Sequence, residues 1–289
     1  MKVLSFGEIL WDVYPDRKCL GGAPLNFAAH LAKHGENAYM LSAVGNDALG
    51  AEAVAQVKQW GVLTDFVTVC HEKQTGCCMV TLDERSVPTY DLLKDVAYDY
   101  ISAETVTGTF DVLYFGTLIL RSDENFRTLR RILQTHSFKE VFVDVNIRPP
   151  FYSEESVRFA VQNATILKVS IEELPVLYDI FAADPAIPYE IFGSQLARSC
   201  ERLRCLIITL GEEGAWVLDC KNGAAYTCSG AKVEVRSTVG AGDSFSAAFL
   251  SKLMGGSAMD ACLQHAVKVA GYVVSQYDAV PDYRPEAFA

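Results

Sequence analysis

The sharpest chemistry in the chain sits in Gly240-Ala241-Gly242-Asp243. Two glycines around one small residue let bare backbone come close to a ligand. The residues that follow, 243–254, carry Phe245, Ala248, Phe249 and Leu253 at helical spacing and stop at Gly255-Gly256, which predicts a helix. The alternating Val233 and Val235 before the turn predict a strand over 232–236. First-turn amides of a helix lack partners one turn back, and the macrodipole adds partial positive charge, so the turn suits a phosphate. A carboxylate beside that anion is out of place in a plain phosphate cradle, though ordinary as a helix cap. As a general base, Asp243 would take the proton from an attacking hydroxyl. The amides of Ala241, Gly242 and Asp243 would hold the charge on a transferring phosphoryl group.

Asp12 and four further clusters have types and spacing that suit the same chemistry. Asp12 follows the strand-like run 3–9, at the kind of strand end where open α/β sheets bind ligands. Gly21-Gly22-Ala23-Pro24-Leu25-Asn26 reads as a tight turn, or hinge, opening a helix that ends at Gly35. Asp144-Val145-Asn146-Ile147-Arg148-Pro149 places three polar side chains on one face if the segment stays extended, and Pro149 and Pro150 favour that. Lys168-Val169-Ser170-Ile171-Glu172-Glu173 and Thr209-Leu210-Gly211-Glu212-Glu213-Gly214 each follow a predicted strand. Taken singly, each has a plain reading as a salt-bridged loop, a helix start or a turn.

These clusters need a frame to hold them. From residue 103 strands and helices alternate: strands over 112–115, 141–145, 165–169 and 206–209, helices over 123–135, 153–162, 172–183 and 189–203. That period predicts an α/β protein of three layers, α/β/α, around a mostly parallel sheet. Short alternating runs at 66–70, 76–82 and 87–92 have no helix between them and predict a small antiparallel sheet projecting from the body. The 289 residues read as one domain, 1–289, with half of them hydrophobic and ample core. A net charge of −11 argues against nucleic acid and anionic membrane surfaces as partners. Nine scattered cysteines without a C-x-x-C pair suggest reduced thiols in the cytoplasm. No leader or membrane span is expected. There is no Walker A motif, and Phe245 stands where a dinucleotide fingerprint needs glycine.

The segment Thr238-Val239-Gly240-Ala241-Gly242-Asp243 resembles the carboxy-terminal signature of the ribokinase/PfkB family of sugar kinases, and Gly21-Gly22 with Asn26 resembles its amino-terminal one. The intermediate motifs follow in the family's order. The resemblance implies a ribokinase-like fold whose small β sheet, formed by about 12–20 and 66–95, is a lid that excludes water. It implies ATP and Mg2+ as cofactors. Asp243 would be the base with Gly240, Ala241, Gly242 and Arg148 beside it. Asp12, Gly21, Gly22, Asn26 and Asn146 would bind the sugar. Lys168, Thr209, Gly211, Gly214, Gly240 and Gly242 would bind the nucleotide, and Glu173 would hold magnesium-bound water. Ser237 stands where the family has Asp, which puts K+ activation in doubt; Ser170, His265 and Asp278 also depart from the pattern. Within the family the amino-terminal segment looks most like fructokinases, with ribokinase and 2-keto-3-deoxygluconate kinase as rivals. A non-catalytic sugar or nucleotide-binding regulator on the same fold is the alternative. A homodimer would form through the lid.

Overall fold

The computed structural model describes residues 1–82 and 88–288. In chain order its strands are β1 (Lys2–Phe6), β2 (Leu10–Val13), β3 (Lys18–Gly21), β4 (Asn37–Gly45), β5 (Leu63–Cys70), β6 (Gly76–Leu82), β7 (Pro88–Leu92), β8 (Val112–Gly116), β9 (Glu140–Asp144), β10 (Ile166–Ser170), β11 (Cys205–Thr209), β12 (Ala215–Asp219) and β13 (Ala224–Cys228). The helices are α1 (Ala23–Lys33), α2 (Ala48–Gln59), α3 (Asp123–Thr135), α4 (Glu154–Asn163), α5 (Leu174–Ile180), α6 (Tyr189–Ser199), α7 (Ala241–Met254) and α8 (Met259–Val274).

Among the described residues, nine strands form one sheet in the order β13-β12-β11-β10-β9-β8-β1-β4-β5. Its ladders are parallel from β11 through β5, and β12 and β13 add an antiparallel edge. Strand β8 shows how the two faces are built. Val112 and Tyr114 enter one hydrophobic core, Leu113 and Phe115 the other, as the two-residue period of a strand dictates. Side chains of α1, α2, α7 and α8 fill the first core, and those of α3, α4, α5 and α6 the second. This is the expected three-layer α/β/α arrangement.

The second sheet runs β3-β2-β6-β7. Its outer ladders are antiparallel, and the central β2–β6 ladder is parallel. Residues 66–70, expected to project with it, instead belong to β5, which pairs in parallel with β4 at the edge of the large sheet. A half-buried alternating run fits either sheet, and the free edge of β4 decides. Of the strand expected over 87–92, Val87 lies outside the described residues.

Three other expectations change. Residues 232–236 form no strand. Val233 and Val235 are exposed, and the amides of Arg236 and Ser237 donate to Val274 O at 2.8 and 3.2 Å, so the segment is strapped to the end of α8. The helix expected over 172–183 ends at Ile180, and Ala182 follows with φ 52°. The helix expected over 189–203 ends at Ser199.

Candidate active site

Helix α7 begins two residues before the sequence periodicity suggests. Gly240 is its N-cap at φ 80°, a left-handed conformation that glycine adopts freely. A side chain there is also excluded by space, because a Cβ would lie 2.9 Å from Ala279 Cα and closer still to its carbonyl oxygen. The Ala241 amide leans back on Thr238 O at 3.3 Å, and the Gly242 and Asp243 amides complete the first turn. Asp243 therefore sits on the first turn of α7 with the helix's partial positive end around it.

Glu8 follows β1, and β3 runs through the Gly21-Gly22 turn into α1. Gly22 is the N-cap of α1 at φ 115°, and a Cβ there would collide with the Glu8 carbonyl. Pro24 starts the helix, and Asn26 on its first turn is buried. Asn26 Nδ2 donates to Asp243 Oδ2 at 2.8 Å. The two glycine-marked turns thus meet, although 217 residues separate them. Asn26 Oδ1 is buried and has no hydrogen-bond partner among the described residues, so it is a free acceptor.

Burial pushes the Asp243 carboxyl up to about 7, with the nearby Asp144 charge adding to it; the Asn26 hydrogen bond, Lys168 and Arg148 pull the other way. Burial likewise lifts Asp12 to about 6, against its hydrogen bond with Cys78 and the field of Arg148. Glu8 is buried and its carboxyl is raised by desolvation, while Oε1 accepts from Ala23 N at 3.2 Å and Arg148 and Arg121 oppose the rise. Arg148 itself is exposed. It is a cation shared by three carboxyls that stand on β1, β2 and α7 or just beyond them. A carboxyl near neutrality can accept a proton and release it again, which is the requirement on a general base.

On the other side of α7 lies a buried ion pair. Lys168 Nζ meets Asp144 Oδ2 at 2.7 Å, and both side chains are almost fully buried. Ser246 Oγ lies 3.4 Å from the same Asp144 oxygen. A Cβ on Gly242 would stand 3.2 Å from Lys168 Nζ, so the ammonium lies directly under the first turn of α7. Lys168, expected at the nucleotide, is tied to Asp144, and its charge adds to the field at the helix start.

The segment after β9 departs from the expected extended form. Asn146 takes φ 44°, a conformation Asn tolerates, and the chain turns there before reaching Arg148. Glu173 fastens this turn. Its Oε1 accepts from Ile147 N at 2.6 Å and its Oε2 from Ser170 N at 2.8 Å. Burial, with Asp144 second, raises its carboxyl, and Lys168 opposes. Among the described residues no cluster of three His, Cys, Asp or Glu side chains could cage a metal. Each Glu173 oxygen keeps one lone pair, which fits a water of a hydrated magnesium ion better than direct ligation.

Thr209 ends β11 directly opposite Ser170 of β10, so its loop continues the row begun by Asp144 and Lys168. Gly211 and Gly214 both have positive φ, and Leu210 N donates to Gly214 O at 2.8 Å, closing the turn. Ser237 Oγ accepts from Val239 N at 3.3 Å. His265 packs inside, with Nε2 3.3 Å from His34 Nε2. Sequence reading passed over Glu8 and Cys78. Their signal is register: Cys78 lies directly across the β2–β6 ladder from Asp12, and Glu8 lies between β1 and the strand that carries Asp12.

Comparison with known proteins agrees with this geometry. A family model described as pfkB family carbohydrate kinase matches residues 13–286. The chain is 28% identical over 311 residues to the 5-dehydro-2-deoxygluconokinase of Halalkalibacterium halodurans, covering 97% of this chain and 88% of that one. It is 26% identical over 265 residues to the fructokinase of Vibrio alginolyticus, covering 86% and 82%. The crystal structure of Vibrio cholerae fructokinase in its fructose-, ADP- and calcium-bound form superposes with a TM-score of 0.79 at 24% identity, covering 96% of this chain and 94% of that one. No helix among the described residues is long and apolar enough to cross a membrane.

Proposed function

The chain belongs to the pfkB family of carbohydrate kinases, and from that premise we propose that it transfers the γ-phosphoryl group of ATP to a primary hydroxyl of a monosaccharide, fructose before other sugars. The observation that carries this reading is the Asn26–Asp243 hydrogen bond, which joins a hydroxyl-recognising amide to a carboxyl poised near neutrality. In the proposed reaction, Asn26 Oδ1 and Asp12 accept hydrogen bonds from sugar hydroxyls and orient the ring. Asp243 accepts the proton of the attacking hydroxyl. The amides of Ala241, Gly242 and Asp243, with Lys168 beneath them, stabilise charge on the transferring group. Arg148 is placed by charge to assist at the sugar or the phosphoryl group. Glu173 would orient a water of the magnesium ion, which when bound neutralises the polyphosphate. Thr209, Gly211 and Gly214 would line the nucleotide phosphates, and Gly21, Gly22 and Asn146 the sugar.

The small sheet serves as the lid in this reading, because Asp12 is carried on β2 and closes with it. Met79, exposed on β6, supports a homodimer through the same sheet. Nine unpaired cysteines support a cytoplasmic enzyme. Ser237 offers no carboxylate, so activity should not depend on K+. Fructose is favoured by the fructokinase relatives at about 26% identity; a 2-keto-3-deoxygluconate-like acid is the second candidate, given the 5-dehydro-2-deoxygluconokinase relative. The test is ATP consumption against fructose, ribose, 2-keto-3-deoxygluconate and 5-dehydro-2-deoxygluconate, with and without K+. Turnover of fructose above the others is expected. Preference for a sugar acid would overturn the fructose reading, and turnover of none would overturn the catalytic one.

A further inference from the structure

His30 lies one helical turn beyond Asn26 on α1 and is fully buried. Its two ring nitrogens are both engaged. Nε2 is 2.9 Å from Ala279 O, and Nδ1 is 2.7 Å from the Tyr283 hydroxyl. A carbonyl only accepts, so Nε2 carries the proton and Nδ1 accepts from the Tyr283 hydroxyl. Burial lowers the ring's affinity for a second proton to about 3, so it stays neutral with this tautomer. The carbonyl that His30 holds is the one lying against Gly240. Lys33 reaches the same segment, with Nζ 3.6 Å from Asp282 and 5.5 Å from the Tyr283 ring centre. Tyr272 donates to Asp282 O at 3.0 Å. Residues 279–283 are thus held as a clamp over the turn that opens α7.

We infer that His30 is a positioning residue: it fixes the Ala279 carbonyl against Gly240 and so holds the Gly240–Asp243 amides in place for the transferring phosphoryl group. Asn26 and His30 stand on one face of α1, four residues apart. The same helix therefore grips the base, through Asn26, and the backing of the anion turn, through His30. Sugar side and phosphate side are referenced to one rigid element. The sequence shows His30 only as a polar residue between Ala29 and Leu31. This inference rests on the kinase reading above.

Its test compares wild type with His30→Phe, His30→Gln and His30→Leu. Phe keeps the ring and its packing on Tyr283 and removes both nitrogens. Gln restores a donor toward Ala279. The readouts are kcat and KM for sugar and ATP, amide hydrogen exchange of the peptide 237–243, and thermal melting. For His30→Phe, kcat is expected to fall by about 10²-fold, the scale of a misplacement near 1 Å. Sugar KM is expected to stay within about threefold, and the peptide to exchange faster. His30→Gln should recover most of both. If Phe does not fold, Leu takes its place in the comparison with Gln. A variant that melts earlier yet keeps wild-type kcat and exchange would overturn the inference and leave His30 as core packing. If wild type turns over no sugar, the kinase reading fails separately, and exchange alone decides the role of His30: unchanged exchange refutes it, faster exchange restored by Gln upholds it.

Discussion

Replacing Asp243 by Asn should disable the enzyme and stabilise it at the same time. The carboxyl titrates at about 7 against an ordinary value of 3.8, chiefly because it is desolvated. Each pH unit of displacement is worth about 1.4 kcal/mol, so the native state carries a ceiling of about 4 kcal/mol for the ionised form. The side chain retains some exposure, and solvent screening brings the working figure to about 2 kcal/mol. The sign follows from proton counting. Below about pH 4 the carboxyl is protonated in both folded and unfolded chains, and no penalty exists. Between about pH 4 and 7 the unfolded chain loses its proton while the native one keeps it, so wild-type stability falls as pH rises. Above about 7 both are ionised and the penalty is constant. Asparagine never ionises and can still accept from Asn26 Nδ2. Asp243→Asn should therefore melt about 3 °C above wild type at pH 8 and close to wild type at pH 4.5. Its kcat should drop by about 10³-fold, as for loss of a general base. Scanning calorimetry at the two pH values and steady-state kinetics check both halves. A variant less stable than wild type at pH 8, or a difference that does not change with pH, would refute the picture of a buried carboxyl held near neutrality.

Other outcomes follow from the same geometry. In wild type, kcat/KM should rise with pH and level off above about 7, and Arg148→Leu should move that limb to higher pH, because Arg148 favours the ionised forms of Asp243 and Asp12; a pH–rate profile reads this directly. Lys168→Met should cost about 3–5 kcal/mol in urea unfolding, since it leaves Asp144 buried without its cation, and adding Asp144→Leu should restore much of the loss. Gly240→Ala should cost about 1–3 kcal/mol of backbone strain and lower kcat strongly, with the Ala279 carbonyl displaced, measurable by melting and kinetics together. Glu173→Gln should raise the Mg2+ concentration needed for half-maximal rate, because an amide cannot accept from both Ile147 and Ser170 with oxygens.

Much of this protein was legible along the chain because its signals are local. The alternation of strand and helix periods over 112–209 marked the layered α/β frame, and there only element ends moved, as with the break at Ala182. Gly240, Gly242 and Asp243 suggested by residue type alone a turn suited to an anion, and Gly21-Gly22 with Asn26 suggested a second glycine-marked helix start. Neither showed that the two would touch. What the tertiary structure decided was every property that depends on a partner distant in sequence. Residues 66–70 joined the large sheet because β4 offered an edge, and 232–236 formed no strand, its end strapped to Val274 through the Arg236 amide. Lys168 became half of a buried ion pair with Asp144 because β9 and β10 are neighbours in register. The burial of Glu8 and His30 likewise exists only once packing encloses them. The near-neutral titration of Asp243 is the clearest case: it arises from desolvation and from charges on β9, β10 and the Arg148 turn, and an isolated strand, turn or helix carries none of those. Period and residue type are written residue by residue, whereas burial and proximity exist only after the chain has closed on itself.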